Sequence, residues 1–387
     1  MTSDFPNSVE QRTAAAPDRA NPLGTAGLEF VEFAANDAST VGALFEQLGF
    51  TAVARHLSKN VTLYRQGRMH FLLNAEPDSF AQRFADEYGA GICAIGIRVD
   101  DAQRAYDRAI DLGAWAFEGE RVGASELTIP AIQGIGDSHI YFVDRWQGRA
   151  TAGESRQGTS IFDVDFRPIE STDSARAAGD PGRAGADHAA RDADYYGVGL
   201  VDVDHLTQTV APGGMQEWLD FYRDLLNFRE IHEIHANWRV SPDSRVMVSP
   251  CGGVQIPLYE EGTRRTALMH SYLPDHPGQG VQHIALATAD IFATVDALLA
   301  RGVELIEPPA RYYEQIRSRL PNHGLDIDAL ARRRLLVDGE IDPDGRARLF
   351  LQTFVKRRAG EMFFEIVERR GHHGFGEGNL DALARAR

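Results

Sequence analysis

Cysteine is nearly missing from this sequence. Cys93 and Cys251 are the only two among 387 residues, too few for a disulfide framework, and neither has the CxxC partner of a zinc ribbon or redox pair. Both read as free thiols, which fits a reducing cytoplasm. Long apolar runs are also missing: none approaches the roughly 18 residues of a membrane-spanning helix. Positive charge is scarce, with 40 Lys and Arg against 56 Asp and Glu and a net charge of -16. That argues against a nucleic-acid partner, because phosphate binding needs local clusters of cations. The stretch from Met1 to Asn21 carries Asp4 and Glu10 and no apolar core, so it does not read as a signal peptide. Its Ala, Pro, Ser and Asp content reads as a disordered tail over residues 1–24.

What is present is a soluble-type composition, 43% hydrophobic and 25% charged, long enough for two domains. Leu28–Phe33 alternates as a strand, and Ser39 is the expected cap of a helix carrying Val41, Leu44 and Phe45, closed by Gly49. Strands are expected over Thr51–His56, Val61–Arg65, Met69–Asn74, Cys93–Val99 and Ser138–Val143, with a helix from Asp101 to Leu112. Residues Ser171 to Asp194 hold hardly a large apolar side chain. They cannot bury enough surface to offset the entropy of ordering, and read as a linker or insertion. The order of elements then restarts: a strand over Val201–Val210, a helix over Met215–Leu225, a strand over Phe228–Glu233, a hairpin around Cys251-Gly-Gly, a strand over Gly280–Asp290 and a helix from Asp290 to Ala300. Asp101 to Gly113 and Asp290 to Gly302 are equally long and equivalently placed, which implies a duplicated domain. The expected class is α+β, two tandem domains of paired βαβββ units: an N-terminal domain over 25–165, a linker over 166–197 and a C-terminal domain over 198–387.

Alignment of the halves exposes the chemistry. A lone histidine in an apolar strand such as Gly280-Val-Gln-His-Ile-Ala285 is more often a hydrogen-bonded core residue than a ligand. Here, however, His205 stands where the first half has Phe30, His283 where it has Ala94, and Glu365 where it has Tyr141. Three metal-competent positions in one half face three inert ones in the other, which favours the ligand reading. Two imidazoles and a carboxylate are the facial set of non-haem Fe(II) oxygenases; zinc hydrolases use the same residue types, so the set alone does not select iron.

Aromatic side chains gather near Glu365. Phe364 is expected in the core, and Phe363, two residues before Glu365, on its side of the sheet. Gln282 and Gln352 are amides in apolar strands and need partners if buried. Gly374-Phe-Gly-Glu-Gly-Asn379 precedes a helix expected near Leu380 and can act as a hinge or as a plain helix start. His232 and His235 read as opposite faces of a strand, His372-His373 as a solvated loop and His276 as part of a turn. Asp144 and Arg145, with their counterparts Glu368 and Arg369, read as exposed strand ends.

Several stretches together are specific: Ser58-Lys-Asn-Val, Leu63-Tyr-Arg-Gln-Gly67, Pro130-Ala-Ile-Gln-Gly-Ile-Gly136, Gly280-Val-Gln-His-Ile-Ala285, Phe363-Phe-Glu365 and Gly374-Phe-Gly-Glu-Gly-Asn379. From about Asn21 onward the chain resembles the 4-hydroxyphenylpyruvate dioxygenase family, its bacterial members most, with hydroxymandelate synthase as a near relative. The resemblance implies the vicinal-oxygen-chelate (glyoxalase/bleomycin-resistance-like) fold. It implies Fe(II) held by His205, His283 and Glu365, and a small 2-oxo acid and O2 as substrates, without separate 2-oxoglutarate. It further implies a homo-oligomer, dimer or tetramer. The reaction would be oxidative decarboxylation, ring hydroxylation and side-chain migration to homogentisate in tyrosine and phenylalanine catabolism.

Ser244, Gln282, Gln352, Phe354, Phe363, Phe375 and Asn379 match pocket positions of the family. Three positions depart from it: Tyr259 stands where an Asn is usual, Leu268 where a Gln is expected and Leu380 where a lid Phe is usual. A site built to hydrogen-bond a polar group rejects analogues lacking it by about 10⁴–10⁵, so loss of two amides can redirect specificity. The alternatives are the same iron chemistry with another 2-oxo acid or outcome, such as a hydroxymandelate synthase-like or less polar substrate, and a non-catalytic chelate-fold binding protein. The intact triad argues against the last.

Overall fold

Among the described residues, sixteen strands form two sheets of eight. The first contains β1 (Leu28–Ala34), β2 (Thr51–His56), β3 (Val61–Gln66), β4 (Met69–Asn74), β5 (Gly91–Arg98), β6 (Ala131–Gln133), β7 (His139–Val143) and β8 (Phe166–Pro168). The second contains β9 (Leu200–Val210), β10 (Arg229–Glu230), β11 (Ser244–Val248), β12 (Gln255–Glu260), β13 (Gly280–Thr288), β14 (Leu336–Ile341), β15 (Ala347–Phe354) and β16 (Phe363–Arg370). The computed structural model describes residues 21–117, 126–146, 159–169, 197–231, 244–263, 267, 278–356 and 363–386. The run 171–194, His232, His235, His276 and Leu268 lie outside the described residues.

The strand orders are β6-β7-β5-β1-β4-β3-β2-β8 and β10-β11-β12-β9-β13-β16-β15-β14. Read from opposite ends, β1, β5 and β7 take the places of β9, β13 and β16. Register agrees residue by residue. Phe30 pairs with Gly96 and Gly96 with Tyr141 in the first sheet, as His205 pairs with Ala285 and Ala285 with Glu365 in the second. β8 hydrogen-bonds to β2, so the first sheet runs on to Pro168, three residues past the expected domain end at Asp165.

The helices are α1 (Ala38–Gln47), α2 (Phe80–Tyr88), α3 (Ala102–Asp111), α4 (Ile161–Asp165), α5 (Met215–Asp220, continuing as a π turn over Phe221–Leu225), α6 (Ile291–Ala300), α7 (Ala310–Arg319), α8 (Ile327–Arg332) and α9 (Glu377–Ala386). Three local expectations change. Asp37, not Ser39, caps α1, its carboxylate accepting from the amides of Ser39 and Thr40; Ser39 instead donates to Asp37 through its hydroxyl. α9 starts at Glu377, a turn ahead of Leu380. Asp144 and Glu368 are not exposed strand ends. Asp144 Oδ2 accepts from Ala102 N at the start of α3 (3.1 Å), and Glu368 Oε2 accepts from Ile291 N at the start of α6 (2.9 Å). A carboxylate there meets amides with no partner inside the helix and the positive end of its dipole.

The largest core lies between the halves. Phe364 stacks on Phe33 (6.1 Å) and approaches Phe45 and Phe71 (6.3 Å each), as its expected core role requires. Two first-half motifs are joints to the second half. Gln66 donates to Leu48 O and accepts from Val198 N, both at 2.8 Å. Gly136, at φ +60°, packs so closely on the start of β13 that a Cβ there would lie 2.2 Å from Gln279 O. A segment of the first half thus braces the strand that carries His283.

Candidate metal centre

His205 on β9, His283 on β13 and Glu365 on β16 meet on the inner face of the second sheet. Their ligand-type atoms all lie within 4.8 Å of one another. Register explains this: Ala285 pairs with both His205 and Glu365, and His283 lies two residues along the same strand. All three side chains are buried.

Each histidine is preceded by a β-bulge. Between Ala285–His205 and Leu286–Val203 the extra residue is Asp204; between Val281–Gln208 and His283–Thr207 it is Gln282. In a regular strand, neighbours point to opposite faces, whereas a bulged residue is unpaired and re-aimed. Asp204 and Gln282 therefore reach the histidines they precede: Asp204 Oδ1 is 2.9 Å from His205 Nδ1, and Gln282 Oε1 is 3.2 Å from His283 Nδ1. With both Nδ1–H groups donating to oxygens, each Nε2 is left with its lone pair.

Both Nε2 atoms then stand 3.2 Å from the same oxygen, Glu365 Oε2. Three acceptors converging in a buried space call for a shared cation or proton. The electrostatics agree. At His205, burial lowers the pKa, but Asp204 and Glu365 outweigh it and raise it. At His283 burial prevails and lowers it. Burial would raise the Glu365 pKa, but the two imidazoles bring it below the usual carboxylate range. The donor set fits a divalent metal, whose binding would displace any proton held between these groups.

Aromatic rings enclose the triad. Phe363 stacks on His283 (4.8 Å) and is edge-on to Phe354 (5.9 Å), and Phe375 meets His205 edge-on at 5.1 Å. Gln352 pairs with Val367 in register and Phe354 with Glu365. Among the described residues, Gln352 Oε1 and, in α9, Asn379 Nδ2 are buried without a hydrogen-bond partner. The carbonyl of Asn379 is used, accepting from Tyr312 Oη at 2.7 Å. Tyr259 pairs with Ser244 on one side and with Thr209, on the His205 face of β9, on the other. Leu380 is buried in α9.

Sequence reasoning overlooked the supporting groups. Arg369 was expected at an exposed strand end. Instead it is largely buried and grips Asp204 through two nitrogens (Nε to Oδ2 2.9 Å, Nη2 to Oδ1 2.8 Å). Its Nη1 donates to the carbonyls of His372 (3.3 Å) and Gly374 (2.7 Å). His372 is half-buried rather than solvated, its Nδ1 accepting from Gly374 N. Arg319 donates to Gly378 O and Tyr312 Oη, holding the first turn of α9. The usable signal for Asp204 was its place directly before a candidate ligand.

Comparison with known proteins agrees with this architecture. Residues 19–167 match the family model for the N-terminal domain of hydroxyphenylpyruvate dioxygenase, and residues 202–318 match the glyoxalase/bleomycin resistance protein/dioxygenase superfamily. A 4-hydroxyphenylpyruvate dioxygenase from Pseudomonas sp. (strain P.J. 874) is 40% identical over 365 residues, 94% of either chain. A xylose isomerase-like TIM barrel/4-hydroxyphenylpyruvate dioxygenase fusion protein superposes with a TM-score of 0.70 at 29% identity, covering 97% of this chain and 55% of that one. A mutant of 4-hydroxymandelate synthase from Streptomyces coelicolor gives 0.67 at 20% identity, covering 94% and 98%, a likeness of fold alone. The expected vicinal-oxygen-chelate fold in two tandem halves therefore stands. With this identity over nearly its whole length, the chain belongs to the 4-hydroxyphenylpyruvate dioxygenase family and is a dioxygenase.

Proposed function

We propose that this dioxygenase holds Fe(II) on His205, His283 and Glu365 and converts 4-hydroxyphenylpyruvate and O2 to homogentisate and CO2. The observation that carries the reading is the convergence of both imidazole Nε2 atoms, 3.2 Å each, on one buried carboxylate oxygen. Fe(II) bound there supplies O2 activation and a Lewis acid for the 2-oxo acid group. Asp204 and Gln282 keep both imidazoles in the tautomer that presents Nε2. Phe354, Phe363 and Phe375 provide apolar walls for an aromatic ring and keep water away from the reacting end of the substrate. The unpartnered Gln352 Oε1 and Asn379 Nδ2 are the groups best suited to bind a polar substituent, since a buried amide atom gains most when a ligand satisfies it.

A second reading keeps the iron chemistry and changes the acid or the product. Tyr259 favours it: a large side chain occupies a position two strands from His283, on the face that carries His205, where the family usually has Asn. One experiment separates the readings: anaerobic Fe(II) reconstitution, then O2 uptake with a panel of aryl and alkyl 2-oxo acids and identification of products by mass and chromatography. Homogentisate from 4-hydroxyphenylpyruvate supports the first reading. A mandelate-type or aliphatic hydroxy acid as the main product overturns it in favour of the second. Fe(II) binding without O2 uptake on any acid would leave a binding protein.

A further inference from the structure

We propose that Arg369 is a positioning residue that couples the seating of α9 to the ability of His205 to hold the metal. The inference rests on the metal-site reading above. Arg369 lies four residues beyond Glu365 on β16 and makes no hydrogen bond to the triad; it meets the pocket lining at the ring of Phe375. Its guanidinium links two structures. On one side, Nη2 donates to Asp204 Oδ1, the oxygen that accepts from His205 Nδ1, while Nε donates to Oδ2. On the other, Nη1 donates to the carbonyls of His372 and Gly374, in the turn that leads into α9. The planar group is also held over Phe350 (4.6 Å) and Phe375 (4.9 Å). Phe375 is the ring that meets His205 edge-on, so the turn reaches His205 both through its aromatic side chain and through the Arg369–Asp204 pair.

If the turn at 371–376 lifts, Arg369 loses two carbonyl acceptors and one aromatic face together. Asp204 then loses the partner that fixes its carboxylate, and His205 loses the acceptor that fixes its tautomer and ring orientation. Lysine cannot replace this group: it carries the charge but cannot bridge Asp204 bidentately while also donating to two carbonyls. Linkage makes the coupling reciprocal, so metal binding must stabilise the seated turn by the factor with which the seated turn favours the metal.

The test uses the full chain and Fe(II) alone, under anaerobic conditions, with metal affinity by titration and amide exchange over residues 371–386. In the wild type, Fe(II) should slow exchange in this segment. Arg369→Met should weaken Fe(II) affinity by about 10–100-fold, the usual loss when a supporting partner of a metal ligand is removed, and should abolish the metal-dependent slowing. Arg369→Lys should retain the fold and lie between the two. Arg319→Met removes a different anchor of α9, at Gly378 and Tyr312; it should speed exchange there, yet Fe(II) should still slow exchange because the link from Arg369 to Asp204 is intact. Wild-type affinity in both Arg369 variants overturns the proposal. So does loss of the metal-dependent slowing in Arg319→Met, where Arg369 and Asp204 are untouched. If the wild type binds no Fe(II), the metal-site reading itself fails.

Discussion

Substitution of Gly136 by alanine tests how the half without ligands supports the half that carries them. Gly136 has φ +60°, and an added Cβ would lie 2.2 Å from Gln279 O and 2.7 Å from Gly280 Cα. Both neighbours are backbone, so no side chain can swing aside, and the start of β13 must move. A left-handed conformation costs an ordinary residue about 1–2 kcal/mol, and forcing atoms into a packed contact costs about 1–3 kcal/mol more. Gly136→Ala should therefore lose about 2–5 kcal/mol. Gly113 is the internal control: it has φ +96°, but an added Cβ would meet nothing within 4 Å, so Gly113→Ala should lose only the conformational part, about 1–2 kcal/mol. Urea unfolding of both variants and the wild type near neutral pH measures each loss. Fe(II) titration should show weaker binding in Gly136→Ala alone, because the strand that shifts carries His283. Equal losses of stability in the two variants would refute the packing argument.

Phe364→Ala should lose about 3–5 kcal/mol, as for other fully buried aromatics, because the ring lies between Phe33, Phe45 and Phe71; a loss under about 1 kcal/mol in the same urea assay would contradict its place in the joint core. His70 is half-buried, with Nδ1 2.8 Å from Glu29 O, and desolvation of its ring pushes its pKa down to about 3. A depressed histidine favours the folded state fully above its unfolded pKa of about 6.5 and loses that contribution as pH falls toward 3, by about 1.4 kcal/mol per pH unit. His70→Gln should flatten the dependence of unfolding free energy on pH below 6.5 by that slope, and unchanged slopes would show that His70 is not held neutral. Tyr259→Asn should shift the kcat/KM ratio toward 4-hydroxyphenylpyruvate over phenylpyruvate by about 10-fold or more; an unchanged ratio would remove Tyr259 as a determinant of specificity.

Much of the architecture was legible because it rests on periodicity. The strand around Val31 reads as an alternation and those around Ile95 and Ile284 as short apolar runs, and the helix caps Asp101 and Asp290 stand at equivalent places in the two halves. Aligning them placed His205, His283 and Glu365 opposite Phe30, Ala94 and Tyr141, and the sheet register pairs those positions in the same way. What could not be read was whatever breaks the period. A bulge adds one residue without a distinctive composition, and strict alternation would turn Asp204 and Gln282 away from the histidines beside them. Arg369, near the end of β16, reads from sequence as an exposed strand end. Its partner Asp204 is 165 positions away in sequence, and no local pattern reports such a contact. α2 and α4 escaped because each is short and flanked by the Asp and Ser residues typical of loops.

The bulges have a counterpart in the half that carries no ligands. Between Leu28–Ile97 and Phe30–Gly96 the extra residue is Glu29, and between Glu32–Ala94 and Phe33–Ile92 it is Cys93. These precede Phe30 and Ala94 as Asp204 and Gln282 precede His205 and His283. The backbone that presents a ligand is therefore built without one, its place taken by Phe30 packed 5.7 Å from Tyr141. A metal at the triad would be a tenant of this scaffold rather than one of its fasteners. Chelation should empty the centre and leave both sheets standing.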